Sequence, residues 1–204
     1  MIAILVAVML IGIFLTLNFV YASQNQNYLG GFLLYNNSDY NFQVLYPQNW
    51  ITTEGVSDDP GDFLTVVAVL EPLGEQGKHY TKNFLCGEVC LLVTKDNAPE
   101  LKGYSIEQYA DYYYNTVKEN YKGFKLLEYK TPSNYKVGDK KAFELLFQQK
   151  QGKREYVKKV IGLPYDENSF LIFEFKSRDK YSDEIVPLTT TMVNSIRINQ
   201  NNTQ

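Results

Sequence analysis

The sequence predicts an α+β domain in which a central, mainly antiparallel β-sheet is flanked by helices and preceded by an N-terminal hydrophobic helix. Short β-branched and aromatic runs recur between residues 32 and 175, and hairpin-length connections separate most of them. Parallel strands would need crossovers of roughly a dozen residues or more, so antiparallel pairing is favoured. Two other segments repeat apolar residues with helical spacing, which predicts helices that pack on this sheet.

The N-terminal segment is the most apolar part of the chain. Residues 1–21 are almost wholly apolar, and no charged residue or histidine precedes Asp39. A helix needs about 20 such residues to cross a bilayer. Two interpretations stay open: a signal peptide cleaved after Ala22, where Val20 and Ala22 suit the cleavage site, or an anchor retained in the membrane. Both place the following residues on the extracytoplasmic side, secreted or membrane-anchored.

The chain therefore divides into four regions. Residues 1–22 are the signal peptide or membrane anchor, 23–31 a polar linker, 32–198 a folded domain and 199–204 a polar tail. The chain has 204 residues and a net charge of −3. This length fits one domain, and this charge gives no electrostatic drive for binding nucleic acid.

The first half of the domain contains five predicted strands. Residues 40–46 alternate apolar and polar side chains until Pro47 stops the strand, and residues 63–70 form the unbroken apolar run of a strand buried on both faces. Trp50, the single tryptophan, is predicted to lie in the core. The other three strands are predicted at residues 32–35, 50–53 and 89–94, and residues 50–53 are expected to resume the strand that Pro47 stops.

A helix is predicted to begin after Ser105. Ser105 and Gln108 have the spacing of a capping box, in which each side chain accepts a hydrogen bond from the other residue's backbone N–H. Gly123 suits the position just after such a helix. The apolar face predicted for this helix comprises Ile106, Tyr109, Ala110, Tyr113, Val117 and Tyr121.

The second half of the domain is predicted to contain a long hairpin and a terminal helix. Gly152 lies in a short polar connection between two strand-like segments, which is typical of a hairpin turn. The strands are predicted at residues 124–130, 140–149, 154–163 and 170–175, and the helix at residues 181–196.

Cys86 and Cys90 are the only cysteines of the chain. An exported protein with a single cysteine pair is expected to form a disulfide, and Gly87 eases the tight turn that a ring of this size needs. Free thiols, a redox pair or half of a metal site are the alternatives. A redox pair normally has the spacing C-x-x-C before a helix, whereas a strand is predicted to follow Cys90.

The residue inventory argues against an enzyme and against a bound cofactor or metal. His79 is the single histidine, and neither a Gly-x-Ser-x-Gly elbow nor a phosphate-binding glycine loop occurs. Asp58, Asp59 and Asp62 form an acidic loop that could bind calcium, although it does not match an EF-hand. A solvated acidic loop is the favoured interpretation, and we expect no catalytic, cofactor-binding or metal-ligating residue.

The candidates for a protein interface are basic and aromatic. Lys150, Lys153 and Arg154 lie at the predicted hairpin turn, within a lysine-rich stretch from 140 to 159. Such charges steer docking onto an acidic partner; the alternative is that they only keep the strands soluble. Tyr112 and Tyr114 fall off the apolar stripe of the predicted helix, which makes them interface candidates.

The segment from Tyr40 to Trp50 resembles the opening of PsbP-like domains, in which an aromatic-rich strand runs into Tyr-Pro-x-x-Trp, here Tyr46, Pro47 and Trp50. This family contains the extrinsic subunit of photosystem II and many non-photosynthetic relatives. The helix start at residues 105–109, the long hairpin, the strand at 170–175 and the closing residues 193–198 fit the same order. The resemblance implies an α/β/α sandwich over residues 32–198.

The resemblance also implies a function. Members of the family are mostly non-enzymatic and dock on membrane complexes, and a related fold binds a small GTPase. The expectation is a non-catalytic, extracytoplasmic accessory domain with a protein partner at the membrane or cell surface, tethered through residues 1–21 if these are uncleaved. The N-terminal segment is not a plastid transit peptide. This favours a surface protein of a prokaryote, with the archaea among the candidates. The alternative is an extracytoplasmic domain that binds a small ligand or an ion.

Overall fold

The computed structural model describes residues 31–55, 64–73, 86–179 and 182–198. In the last helix, side chains are described from Pro187 onward. The predicted signal peptide or anchor, the linker up to Gly30 and the polar tail lie outside the described residues, as do the acidic loop with Asp58, Asp59 and Asp62, and His79. What the sequence predicts for these segments stays a prediction.

The described residues form short strands and two α-helices. Within them, no helix combines the length and the apolar content that crossing a bilayer requires. The helices are α1 Ile106–Asn120 and α2 Ser182–Ser195, with a 3-10 turn at Pro99–Leu101. The strands are β1 Phe32–Asn37, β2 Phe42–Pro47, β3 Trp50–Glu54, β4 Leu64–Pro72, β5 Val89–Asp96, β6 Lys125–Lys130, β7 Lys136–Val137, β8 Lys140–Lys141, β9 Phe143–Gln151, β10 Arg154–Asp166, β11 Ser169–Arg178 and β12 Arg197–Ile198.

A seven-stranded sheet forms the centre of the domain. Its order is β3-β4-β5-β11-β10-β9-β6, and every neighbouring pair is antiparallel. The most apolar strands, β4, β5 and β11, lie next to one another, where both sheet faces are covered. The predicted α+β class with a mainly antiparallel sheet is therefore confirmed.

The long hairpin of β9 and β10 is the scaffold of one end of this sheet. Its turn has two residues, because Gln151 pairs with Arg154. Gly152 has a φ of 64°, a backbone conformation that such short hairpin turns require and that glycine adopts without strain. Farther along β10, Gly162 lies opposite Phe143 of β9, and the aromatic ring occupies the space that a Cβ would fill.

Helix α1 packs on one face of the sheet. The predicted capping box is confirmed, because the Gln108 N–H donates to Ser105 Oγ at 3.2 Å and the Ser105 N–H donates to Gln108 Oε1 at 2.8 Å. The helix buries Ile106, Tyr109, Ala110 and Val117. These side chains pack against buried residues of β9, β10 and β11, namely Phe143, Leu145, Phe147, Val160, Phe170 and Ile172.

The opposite face is covered by α2 and by a three-stranded sheet of order β1-β2-β12. The rings of Phe42 and Phe173 meet edge to face across this layer, with centroids 5.4 Å apart. Met192 and Ile196 belong to the same core cluster. Trp50 is only 6% exposed and belongs to it too, so the prediction that it lies in the core is confirmed.

Two segments differ from the prediction in where they pair. Residues 50–53 were expected to resume the strand that Pro47 interrupts, but β2 belongs to the small sheet and β3 forms an edge of the large one. The terminal helix ends at Ser195 instead of continuing through Ile196. Residues Arg197–Ile198 then pair with β2, which satisfies backbone groups that this strand would otherwise expose.

Candidate functional site

Among the described residues, helix α1 covers only part of its sheet face, and beside it lies a groove of about 520 Å³. One wall is the α1 side that carries Tyr112, and the other is the turn that begins at Cys86. The floor is the sheet itself, built by the side chains of Gln149, Lys158, Ile172, Glu174 and Lys176. The groove therefore combines a helix, a disulfide-closed turn and a polar sheet surface.

The helix wall of the groove is aromatic. Tyr109 stacks face to face on Phe170 with ring centroids 3.8 Å apart, and Tyr112 stacks on Tyr109 at 6.2 Å. Tyr104 meets the ring of Tyr112 edge-on at 6.3 Å. Because Tyr109 is fully buried and Tyr112 is only partly buried, Tyr112 is the ring of this stack that faces the groove.

A carboxylate closes one end of the groove. The Tyr109 hydroxyl donates to Asp96 Oδ2 at 2.8 Å, and the Ala98 N–H donates to Asp96 Oδ1 at 3.3 Å. Burial nevertheless raises the pKa of Asp96, and it raises the pKa of Tyr109 well above its usual value. Among the described residues, no group of three or more His, Cys, Asp and Glu side chains could hold a metal ion.

The floor of the groove carries a buried ion pair. Lys158 Nζ lies 2.6 Å from Glu174 Oε1, and Lys158 is 6% exposed. Its ammonium group also lies 4.6 Å from the centroid of the Tyr121 ring, at the C-terminal end of α1. Burial disfavours the charge of Lys158, but the attraction and hydrogen bonds of Glu174 and Tyr121 together outweigh burial, and the pKa of Lys158 lies above its usual value. Lys158 is therefore charged inside the protein.

A second buried lysine lies beside this pair. Lys176 is 8% exposed and lies directly opposite Lys158 in the register of β10 and β11. Its ammonium group donates to the Cys86 carbonyl at 3.4 Å and lies 4.8 Å from the Tyr156 ring centroid. Burial, with the nearby charge of Lys158, lowers the pKa of Lys176 to about 8.

A smaller cavity of about 270 Å³ continues from the groove beneath the hairpin turn. Cys86, Gln151 and Lys176 line both spaces, and the smaller one adds Lys153 and Arg154. The cavity lies against the turn that the cysteines close. Cys86 and Cys90 are joined as a disulfide with Cα atoms 5.9 Å apart, an ordinary separation for such a bond, so the predicted disulfide is confirmed.

Glu88, in the same turn, is shared by two arginines. Its Oε1 atom lies 3.0 Å from Arg154 Nη1 and 3.1 Å from Arg178 Nη1. These contacts attach the disulfide turn both to the tip of the hairpin and to the end of β11. The turn, the hairpin and the groove floor are therefore one connected polar assembly.

The structure separates the two tyrosines predicted as interface candidates. Tyr112 lines the groove, whereas Tyr114 lies on the other flank of α1 and stacks on Tyr129 of β6 with centroids 5.6 Å apart. The ring of Phe124 meets Tyr114 edge-on at 6.0 Å. Residues two apart on a helix point in nearly opposite directions, so the two rings cannot face one partner surface together.

The three basic candidates lie together at the hairpin turn, although their charges are partly balanced. Lys150 is 3.1 Å from Glu155, Arg154 pairs with Glu88, and Lys153 lines the smaller cavity. The wider lysine-rich stretch does not form one basic surface. Lys158 faces the groove, whereas the next residue, Lys159, lies 3.8 Å from Glu144 on the opposite face of the sheet.

The charged residues on the floor of the groove were not predicted from the sequence. Glu174 and Lys176 occupy alternate positions within an apolar strand, so period-2 spacing puts both on one face. Charged residues inside an otherwise apolar strand are costly to bury without partners. That pattern was the signal available in the sequence for a polar site on the sheet.

Comparison with known proteins places the domain by its fold. The chain matches no protein-family model and no curated protein sequence. Cyanobacterial PsbP (CyanoP) from Synechocystis aligns with a TM-score of 0.53 at 16% identity, over 82% of this chain and 92% of that protein. The chain has the PsbP fold.

The Ran-binding protein Mog1p of Saccharomyces cerevisiae aligns with a TM-score of 0.50 at 10% identity, over 82% of this chain and 95% of that protein. A Pseudomonas aeruginosa protein of unknown function gives 0.51 at 10% identity, over 83% and 98%. At these identities the likeness establishes the shared fold alone, so the resemblance to PsbP-like domains is confirmed at the level of the fold.

Proposed function

We propose that this chain is a non-catalytic accessory domain that binds a segment of a protein partner in the groove beside α1. The observation that carries the proposal is the partly buried ring of Tyr112, which stands over a floor of buried charge. Aromatic anchors beside desolvated charges are typical of the residues that dominate protein interfaces. One protein of the same fold, Mog1p, is described as Ran-binding, which supports a binding role.

The groove and the hairpin turn have different parts in this proposal. Tyr112 offers a large, rigid contact area at low entropic cost and is expected to contribute most of the affinity. Lys150, Lys153 and Arg154 lie at the rim, where charges mainly raise the association rate and make it sensitive to salt. The partner segment is therefore expected to be acidic with at least one apolar side chain.

The proposed location is the extracytoplasmic side of a membrane, with the partner in a membrane or surface complex. The apolar residues 1–21 and the Cys86–Cys90 disulfide support this location. Protease treatment of intact cells tests it. Digestion of the domain before lysis is expected, and complete protection until lysis would place the domain inside.

The docking surface is tested by a photo-crosslinking amino acid placed at position 112 or 114. The two positions share residue type and helix, but only Tyr112 lines the groove. We expect a specific crosslinked product from position 112 and none from position 114. In affinity isolation without a crosslinker, Tyr112→Ala should weaken recovery of the partner roughly tenfold or more, whereas Tyr114→Ala should lower stability and leave binding unchanged. Equal crosslinking from both positions would show that the groove is not the docking site.

The rim is tested by reversing the charges of Lys150, Lys153 and Arg154 together. This variant should remain folded and should recover less of the crosslinked partner at low salt, with a smaller difference at high salt. Unchanged recovery of the partner would show that these three charges only keep the hairpin soluble. A matched triple reversal at exposed lysines away from the turn serves as the control, at Lys102, Lys136 and Lys141.

A small-ligand function is the second candidate, and the volume of the groove favours it. About 520 Å³ lies within the range of small-molecule sites. A protein that gives no crosslink at position 112, but whose Tyr112 NMR signals shift saturably with small molecules from a native extract, would favour this function over protein docking.

A further inference from the structure

The register of β10 and β11 places two lysines side by side inside the protein. Lys158 and Lys176 are directly opposite each other across the antiparallel pair, and both are more than nine-tenths buried. Like charges at such positions repel, and each buried ammonium group also loses its hydration. An apolar pair would avoid both costs, so this arrangement needs a compensating anion.

The carboxylates of the described residues compensate only part of this charge. Glu174 is 2.6 Å from Lys158, and Glu88 is within 3.1 Å of both Arg154 and Arg178. Four cations therefore surround two carboxylates. Within the described part of the chain, the direct contacts of the Lys176 ammonium group are a carbonyl oxygen at 3.4 Å and an aromatic ring, while Glu174 and Glu88 act on it only as nearby charges.

Lys176 lies where the groove and the smaller cavity meet. The side chain lines both the groove and the smaller cavity, and Arg154 and Gln151 border the smaller one. An ammonium group has three N–H donors, of which one reaches the Cys86 carbonyl. The other two, together with the guanidinium group of Arg154 that lines the same cavity, can donate to the two oxygens of one carboxylate.

We propose that Lys176 and Arg154 form a receptor for one carboxylate group, supplied by an aspartate or glutamate side chain of the docked protein. The inference rests on the proposed function, since it names the group of the partner segment that enters the cavity. Tyr112 contacts the apolar part of that segment, and Lys176 holds its acid. A carboxylate at this position adds the charge that the cluster lacks and accepts from the buried ammonium group of Lys176, where water screens the attraction less than at the exposed Arg154.

Free small anions share the chemistry of such a side chain, and the probes distinguish them. The test uses full-length protein with ¹³C-labelled lysine side chains, titrated at constant ionic strength with a capped Gly-Glu-Gly peptide, a capped Gly-Gln-Gly peptide or inorganic phosphate. The Glu peptide should shift the Lys176 signals saturably, and the Gln peptide should leave them unmoved. The bound carboxylate should also raise the pKa of Lys176, because it favours the charged form.

Lys176→Met is the decisive variant, because methionine fills similar space without a buried charge. It should reduce affinity for the Glu peptide about ten- to hundredfold, as expected for loss of a charged hydrogen bond. Lys95→Met is the matched control, since Lys95 likewise lies over a tyrosine ring, that of Tyr165, but it is only partly buried and already has a carboxylate partner, Asp166 at 3.4 Å. This control should bind the Glu peptide as the unmodified protein does.

Three results would overturn the receptor: equal shifts with the Glu and Gln peptides, a shift with phosphate alone, or no saturable shift in a protein whose backbone amide spectrum is folded. Failure of the receptor and failure of docking are distinguishable. If Lys176→Met still crosslinks the partner from position 112 with unchanged affinity, docking stands and the carboxylate site falls. If position 112 gives no crosslink while Lys176 binds the Glu peptide, the carboxylate site stands and docking in the groove falls.

Discussion

Burial of Lys176 should lower the stability of the domain at neutral pH, and this penalty should fade as the solution becomes alkaline. Its pKa lies at about 8 instead of the usual 10.5, so the unfolded chain binds this proton more tightly than the folded one. Below pH 8 both states are protonated and the folded state bears the full penalty. Between pH 8 and 10.5 the folded state alone loses the proton, so the penalty from Lys176 shrinks with rising pH through that window.

The magnitude follows from the size of the shift. At about 1.4 kcal/mol per pKa unit, the penalty is about 3 kcal/mol at pH 7 and falls to about 1 kcal/mol at pH 10. The groups that face Lys176 are Lys158, which lowers its pKa further, and Glu174 and Glu88, which oppose that change. Lys176→Met should remove the penalty, so this variant should be the more stable protein at pH 7 by up to that amount.

Urea unfolding of both proteins at several values between pH 7 and pH 10 measures this difference. Ionisation of buried tyrosines in the unfolded state, whose folded pKa values are raised, lowers the stability of both proteins near pH 10 and cancels in the comparison. The gap between Lys176→Met and the unmodified protein should narrow steadily as pH rises. A gap that stays constant, or a variant less stable at pH 7, would refute the reasoning.

Three further changes have defined outcomes. Trp50→Ala should cost about 3–5 kcal/mol in thermal or urea unfolding, because the ring is 6% exposed; a loss under about 1 kcal/mol would contradict this burial. Gly162→Ala should cost about 1–3 kcal/mol, since the new methyl group would overlap the ring of Phe143, and Phe143→Leu in the same chain should recover part of it. Reducing the Cys86–Cys90 bond should cost about 2 kcal/mol by the same unfolding measurement, whereas an unchanged midpoint would show that the turn folds without it.

Most elements were predictable because their causes are local. Ser105 and Gln108 are three residues apart, so the start of α1 can be seen in the sequence and is confirmed by both hydrogen bonds. The alternation before Pro47 predicted β2 in the same way. The strand partners were less accessible, because pairing joins β11 to β5 and β12 to β2 across long stretches of chain.

The candidate site was predictable only in part, since it depends on register. Helical spacing separates Tyr112 from Tyr114, but only the position of β6 shows that Tyr114 is covered. Alternation puts Lys158 and Lys159 on opposite faces of β10, yet the partner of Lys158 follows from the pairing of β10 with β11. A one-residue change in that register would send every one of these charges to the other face.

The pairing of β12 with β2 determines when the domain can be completed during synthesis. The Leu45 N–H donates to Ser195 Oγ at 2.8 Å across 150 residues, and Arg197 pairs with Gln43. At about 5–20 residues per second, a ribosome needs on the order of ten seconds to pass from one partner to the other. Until then β2 has only β1 beside it, and the small sheet cannot close. The newly made domain therefore stays incompletely folded until residues 195–198 have emerged from the ribosome, so its small sheet forms after synthesis of the domain and not during it.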